Sequence, residues 1–189
     1  LNQPELLDRW KQGDKSVFPE LVEQGKDMVF NTALGIVQNE QDAEDITQEV
    51  FITLYEEIHN FRKESKLSTW LYRITIHKAL DHERKKKRQK HGGLLKRIFS
   101  LQENDDPPNF NHPGVILDQK EQATILFRAI SKLPDQQRAV FVLHKLEGLN
   151  NQEIAAILKC SLVAVESLQT RAKNNLRKTL KAYYEKEQH

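Results

Sequence analysis

Between Gln89 and Gly114 the three-and-four spacing of apolar residues that runs through the rest of the chain stops. Gly92-Gly93, Asp105-Asp106-Pro107-Pro108 and Pro113-Gly114 fall in that interval, and glycine and proline at this density interrupt helices. The break divides 189 residues into two pieces, each the size of a small helical domain. No strand alternation and no tandem repeat occurs on either side. The expectation is an all-α protein of two small helical domains, residues 1–90 and 116–189, joined by a flexible linker over 91–115.

The first piece reads as successive amphipathic helices. Ser16 and Pro19, followed by Leu21, Val22, Met28, Val29, Ala33 and Val37, predict one helix, since proline is tolerated in a first turn. Asn39 with Asp42 three residues on resembles a capping box, with Asp in the place of Glu or Gln, and opens a second. Its apolar positions Ala43, Ile46, Val50, Leu54 and Ile58 make one buried stripe, which leaves Asp45, Gln48, Glu49 and Glu56 off that stripe. A third helix starts near Ser68 or Thr69, carries Trp70, Leu71, Ile74 and Leu80, and runs into Arg84-Lys85-Lys86-Lys87-Arg88.

Beyond the break, Ile116 to Ile130 predicts a helix ending at Leu133-Pro134, and Gln136 to Leu146 the next, closed by Gly148. Asn150 with Glu153 is a second capping box, heading a short helix to Leu158. After the turn at Lys159-Cys160-Ser161 a longer helix places Val165, Leu168, Ala172, Leu176 and Leu180 on one face.

Net charge is only +2, but it is unevenly spread. Residues 1–60 hold 13 acidic and 4 basic groups, a balance of −9; the remaining 129 hold 14 acidic and 25 basic, a balance of +11. One end suits a basic partner and the other a polyanion. A single cysteine, Cys160, forbids an internal disulfide. No signal-peptide pattern opens the chain, and no apolar stretch approaches the roughly 18 to 20 residues of a membrane span. A soluble, cytoplasmic protein is expected.

The short helix, turn and longer basic helix from Asn150 to Lys181 form a helix-turn-helix pattern, whose second helix would enter a DNA major groove. Many helical hairpins share that pattern without meeting DNA. The cations Arg171, Lys173, Arg177, Lys178 and Lys181 favour the DNA reading. Such cations mainly contact phosphate, so base reading falls to shorter groups such as Ser167 or Thr170. From Phe61 to Arg88 aromatics (Phe61, Trp70, Tyr72) mix with cations (Arg62, Lys63, Lys66, Arg73, Lys78), the combination that holds single-stranded DNA. For the aromatics taken alone, packing into a core is the better reading.

Enzyme readings fail. Glu56-x-x-His59 has the spacing of a di-iron carboxylate motif but lacks the second copy such a site requires. His82-Glu83 lacks a second zinc-binding histidine, no phosphate-binding glycine loop occurs, and Cys160 has no arranged base. No catalytic residue, metal, cofactor or small-molecule substrate is expected.

An acidic helix, an aromatic and basic segment, a linker and a C-terminal helix-turn-helix, in that order, resemble the sigma factors of bacterial RNA polymerase, and the two-domain form resembles the extracytoplasmic function (ECF) subfamily. The resemblance implies a region 2 helical bundle over 1–90 and a region 4 helix-turn-helix over 116–189. Asp45, Gln48 and Glu49 match the pattern through which region 2 docks on core polymerase. Phe61, Ser65, Lys66, Leu67, Ser68, Trp70, Arg73 and His77 fall where the family opens the −10 element and captures an extruded base, with Ser65 to Ser68 as the capturing loop. The family usually has Asn where this chain has His77. The −35 contacts would fall on His144, Val163, Ala164, Glu166, Ser167, Thr170, Arg171 and Lys173. Val163-Ala164 stand in place of the common Gly-Thr, and Glu166 in place of a usual cation. The acidic linker residues Glu103, Asp105 and Asp106 fall where sigma linkers pass through the polymerase's RNA path, a stretch that plain disorder explains equally well.

The implied function is an ECF-type sigma factor that binds core RNA polymerase, directs it to −10/−35 promoter elements and helps melt the −10 region without hydrolysing nucleotide. Its implied partners are core polymerase, promoter DNA and an anti-sigma factor, often membrane-bound in this family. The alternative is a stand-alone helix-turn-helix transcriptional regulator, which predicts a palindromic duplex site and no need for polymerase.

Overall fold

A computed structural model describes residues 3–61, 66–92 and 120–187, and every regular element among them is helical. Eight α-helices occur there: α1 (Gln3–Lys11), α2 (Phe18–Val37), α3 (Glu40–Glu57), α4 (Leu67–Gly92), α5 (Lys120–Ser131), α6 (Asp135–Phe141), α7 (Asn151–Leu158) and α8 (Leu162–Glu187). A 3-10 turn (Lys15–Val17) precedes α2, another (Ile58–Asn60) follows α3, and a π-turn (Val142–Leu146) extends α6. Residues 91 and 92 of the expected linker belong to the end of α4, and the rest of it, with its acidic residues, lies outside the described residues.

In the first half α2 is central, packed on both α3 and α4. The α3 stripe lies where its spacing put it: Ala43, Ile46, Val50, Leu54 and Ile58 are all buried. Phe51 joins them and touches the α-carbon side of Gly25, where α2 and Leu71 of α4 approach closely. Helix α1 was not expected from the sequence. Its short pattern buries Leu6, Leu7 and Trp10, and the Trp10 ring packs against Phe18, Tyr55 and His59.

The capping residues show which sequence signals carried through. At Asn150 both halves of the capping box form: its side chain accepts from the N–H groups of Gln152 and Glu153, and the Glu153 carboxylate accepts from the Asn150 main-chain N–H. At Asn39 only one half forms. Asn39 Oδ1 accepts from Asp42 N–H at 2.9 Å, but the Asp42 carboxylate turns to Lys86 at 2.7 Å and His82 at 3.4 Å on α4. A short Asp side chain with Lys86 and His82 within reach serves helix packing instead of the cap.

The two halves pack against each other. A single apolar core runs from Leu6 through α2, α3 and α4 into Ala139, Val140, Val142, Leu143, Ile154, Ile157 and Val165 of the second half. A smaller cluster joins Phe127, Ala129, Ile130 and Leu133 to Ala172 and Leu176 of α8. Gly35 makes the seam possible. A Cβ there would lie 2.9 Å from Leu146 Cδ1 and 3.1 Å from Val142 Cγ1, so glycine lets the π-turn sit on α2 without moving either side chain. Helix α2 ends in a left-handed Gln38 (φ 56°), whose buried amide donates to the Phe127 carbonyl at 2.7 Å across the seam. That hydrogen bond offsets the cost of a positive φ at a residue with a side chain. Arg138, wholly buried, donates to the Ser131 and Leu133 carbonyls that close the α5–α6 turn, and lies 3.5 Å from Glu83 of α4.

Candidate nucleic-acid and partner interfaces

Helix α3 buries one face and presents the other. Asp45, Gln48 and Glu49 are exposed, and the three-and-four spacing continues from them to Ile52, 57 % exposed, and Tyr55, 42 % exposed. The result is an acidic face that ends in two large apolar groups. Ile52 and Tyr55 were not singled out from the sequence, although their spacing from Gln48 carries the signal. Glu49 pairs with Lys78 of α4 at 3.3 Å, an exposed contact that water screens.

The aromatic and basic segment divides into buried and presented groups. Phe61 and Leu67 lie in the core, at 7 % and 3 % exposure, so packing is what their side chains do in this arrangement. Trp70 is half-buried and stands edge-on to Phe61, ring centroids 6.5 Å apart. Lys66 is exposed at the start of α4, Ser68 is half-buried and Ser65 lies outside the described residues.

Arg73 and Tyr72 reach across the seam. Arg73 donates from Nε to the Ile157 carbonyl at 2.9 Å and from Nη2 to the Ala156 carbonyl at 2.8 Å. These carbonyls belong to the last turn of α7, which has no intrahelical donors for them and carries the negative end of the helix dipole. The Tyr72 hydroxyl donates to the Glu147 carboxylate at 3.1 Å. Burial raises the Glu147 carboxyl above its ordinary pKa, and the hydrogen bond from Tyr72 offsets part of that. Burial, and then the facing Glu147 carboxylate, raise the Tyr72 hydroxyl as well.

His77 is exposed but faces a cleft of about 360 Å³ between α4 and the second half. Leu80, Asp81, Asp135, Cys160 and Ala164 also line it. The Arg84 guanidinium bridges its rim, 2.9 Å from Asp81 and 2.7 Å from Asp135.

The helix-turn-helix is fixed by side-chain bonds. Gln169 of α8 donates to Asn151 of α7 at 2.8 Å, and Asn175 donates to Gln137 of α6 at 2.8 Å. The turn passes through a left-handed Lys159 (φ 52°), and Ser161 Oγ caps α8 by accepting from Ala164 N–H at 3.2 Å. His144 is half-buried, its Nδ1 3.1 Å from the Leu149 carbonyl, where it steadies the loop into α7. The outward stripe of α8 is Val163, Glu166, Thr170, Lys173, Arg177 and Lys181, all exposed, with Arg171 beside it. Ala164 and Ser167, grouped with these from the sequence, are set apart: Ala164 lines the cleft and Ser167 is half-buried.

Among the described residues no three His, Cys, Asp or Glu side chains gather as a metal site, and no helix is long and apolar enough to cross a membrane.

Residues 21–89 match Sigma-70 region 2, and residues 123–176 match Sigma-70, region 4. The chain is 32 % identical over 175 residues to the ECF RNA polymerase sigma factor SigW of Bacillus subtilis, covering 90 % of this chain and 92 % of that protein. It is 30 % identical over 182 residues to the ECF RNA polymerase sigma-E factor of Escherichia coli K12, covering 89 % and 88 %. Among solved structures it shares the fold of CnrH in complex with the cytosolic domain of CnrY, with a TM-score of 0.67, 22 % identity and coverage of 95 % and 97 %. It also shares that of the Bartonella quintana sigma factor RpoE bound to the anti-sigma factor NepR, with a TM-score of 0.62, 21 % identity and coverage of 87 % and 96 %. The chain belongs to the sigma-70 family, in its ECF group. Sigma factors are DNA-binding transcription initiation factors rather than enzymes in the ordinary sense.

Proposed function

We propose that this chain binds core RNA polymerase through the outward face of α3, reads the −35 element as duplex through α8, and captures −10 bases along α4 to help melt the promoter. The observation that carries the reading is the placement of two chemically opposite faces on one molecule. An acidic face with Ile52 and Tyr55 at its end suits a basic protein partner, and a stripe rich in lysine and arginine suits a polyanion. Family membership supplies the direction, since the relatives are RNA polymerase sigma factors by name.

Melting follows from differential binding. Contacts open only to unstacked bases offset the few kcal/mol that unstacking costs. Lys66, Trp70, Arg73 and His77 supply those contacts, with Phe61, Leu67 and Ser68 shaping the strand's path. We assign residues 1–90 to the polymerase and −10 functions and 116–189 to the −35 function.

In the arrangement described here Arg73 is committed to α7 and His77 faces the cleft, so −10 capture requires the halves to part. A partner that holds them together would keep the protein silent, and an anti-sigma factor fits that role. The RpoE structure, whose fold this chain shares, is a complex with one.

Capture of core RNA polymerase by the full chain, followed by run-off transcription from a promoter-fragment library, tests the proposal. Stoichiometric capture with promoter-specific transcripts is expected. Failure of the folded chain to bind polymerase would leave a stand-alone duplex-binding regulator.

A further inference from the structure

We infer that Glu166 selects cytosine in the duplex element that α8 reads, and that Val163, one turn earlier, selects a neighbouring thymine. The inference deepens the −35 reading and rests on it.

Glu166 is the sole acid on the outward stripe from Val163 to Lys181, where Lys173, Arg177 and Lys181 are its charged companions. Nothing local explains it. Its helical neighbours three and four residues away are Leu162, Val163, Gln169 and Thr170, none of them a cation. No ion pair joins its carboxylate to any described residue, and the Thr170 hydroxyl donates to the Glu166 main-chain carbonyl, not to the side chain. The N-cap of α8 is Ser161, five residues earlier, so Glu166 stands beyond the first turn, where a helix dipole rewards an acid. It is exposed and serves no packing.

A helix-turn-helix presents the N-terminal part of its second helix to base edges, with phosphates on either side. A carboxylate carried there without a cation is repelled unless it accepts a hydrogen bond. In the major groove guanine offers only acceptors, thymine an acceptor and a methyl group, and adenine a donor beside an acceptor. Cytosine offers its N4 amino group without an acceptor of its own beside it, which makes it the base a carboxylate tolerates best.

Val163 is 74 % exposed, an uncommon setting for a branched apolar side chain at a helix start. Three residues along a helix advance about 4.5 Å, close to one base-pair step, so its methyl groups would fall on the pair next to the one that Glu166 reads. Thymine's C5 methyl is the apolar feature available there.

The test uses the full chain with core polymerase and promoters randomised at the −35 element, with the transcripts sequenced. The wild type is expected to enrich cytosine at one position, by about 5- to 150-fold over the other bases, next to an enriched thymine. Glu166→Gln should move that position toward adenine and Glu166→Arg toward guanine, and Val163→Ala should relax only the neighbouring thymine. Identical profiles for wild type and Glu166→Gln, or a purine at that position in the wild type, would overturn the inference while leaving the sigma reading in place. The same library, as duplex, is also selected by the full chain without polymerase. Cytosine selection there in the absence of any polymerase-dependent transcript would sustain the role of Glu166 and sink the sigma reading instead; no selection in either format overturns both.

Discussion

The guanidinium of Arg73 donates through Nε to the main-chain carbonyl of Ile157 at 2.9 Å, across the seam between the two halves of the chain. A residue proposed to touch −10 DNA is thus spent on the first helix of the helix-turn-helix. Seam closure and −10 capture compete for the same side chain.

Arg73→Ala should weaken closure by about 1.5–3 kcal/mol, the range for a hydrogen bond to a charged group, while also impairing open-complex formation. Single-molecule energy transfer between dyes on α3 and α8 would read the first effect and permanganate footprinting of −10 thymines the second. An unchanged interdye distance would show that Arg73 does not hold the seam.

Gly35 offers a way to open the seam without touching any proposed DNA or polymerase contact. Gly35→Ala forces Leu146 to shift and should be mild, because alanine also favours α2 by up to about 1 kcal/mol. Gly35→Leu has no such escape past Val142 and should part the halves, since overpacking costs about 1–3 kcal/mol. The expected readout is a larger radius of gyration by small-angle scattering with helicity retained. A compact Gly35→Leu protein would mean that the seam is more plastic than a close-packed core.

Glu147 makes closure sensitive to pH. Its carboxyl is raised in the closed arrangement relative to its ordinary value of 4.5, so its contribution to closure is greatest when it is protonated, below that value, and is lost as pH rises through the raised one. Glu147→Gln keeps an oxygen for the Tyr72 hydroxyl and removes the buried charge. It should close the seam more firmly than wild type at pH 7, the difference vanishing by about pH 4.5. An equal population of closed molecules in both proteins at pH 7 would contradict this.

Reversing the acidic face tests the polymerase contact. Asp45→Lys combined with Glu49→Lys should lower affinity for core polymerase by roughly 100-fold or more and leave duplex binding by the full chain intact. Ile52→Ser should weaken the same contact at little cost in stability, because that side chain is already 57 % exposed. Equal losses in polymerase and duplex binding would argue against a division of labour between the faces.

What could be read from the sequence was local. The α3 stripe, the capping box at Asn150 and Glu153, and the turn before α8 each depend on residues within a few positions of one another, and each formed. The cap at Asn39 formed by half because Asp42 found Lys86, 44 residues away. Helix α1 went unread because Leu6, Leu7 and Trp10 are too few to establish a period. Ala164 was grouped with the outward residues and lines the cleft, since only the packing of α4 on α7 and α8 decides which side of a helix start stays open. The seam itself was invisible: two domains were expected without any arrangement between them, and nothing near Gly35 or Gln38 in sequence announces Val142, Leu146 or Phe127.

A core that passes unbroken from Leu6 to Val165 makes the seam a buried apolar interior between the two halves. Whatever separates the halves therefore exposes apolar surface that is buried in the resting molecule. A partner able to cover that surface gains a hydrophobic driving force that exists only after the separation has occurred, and that covering step carries the negative heat-capacity change of apolar burial.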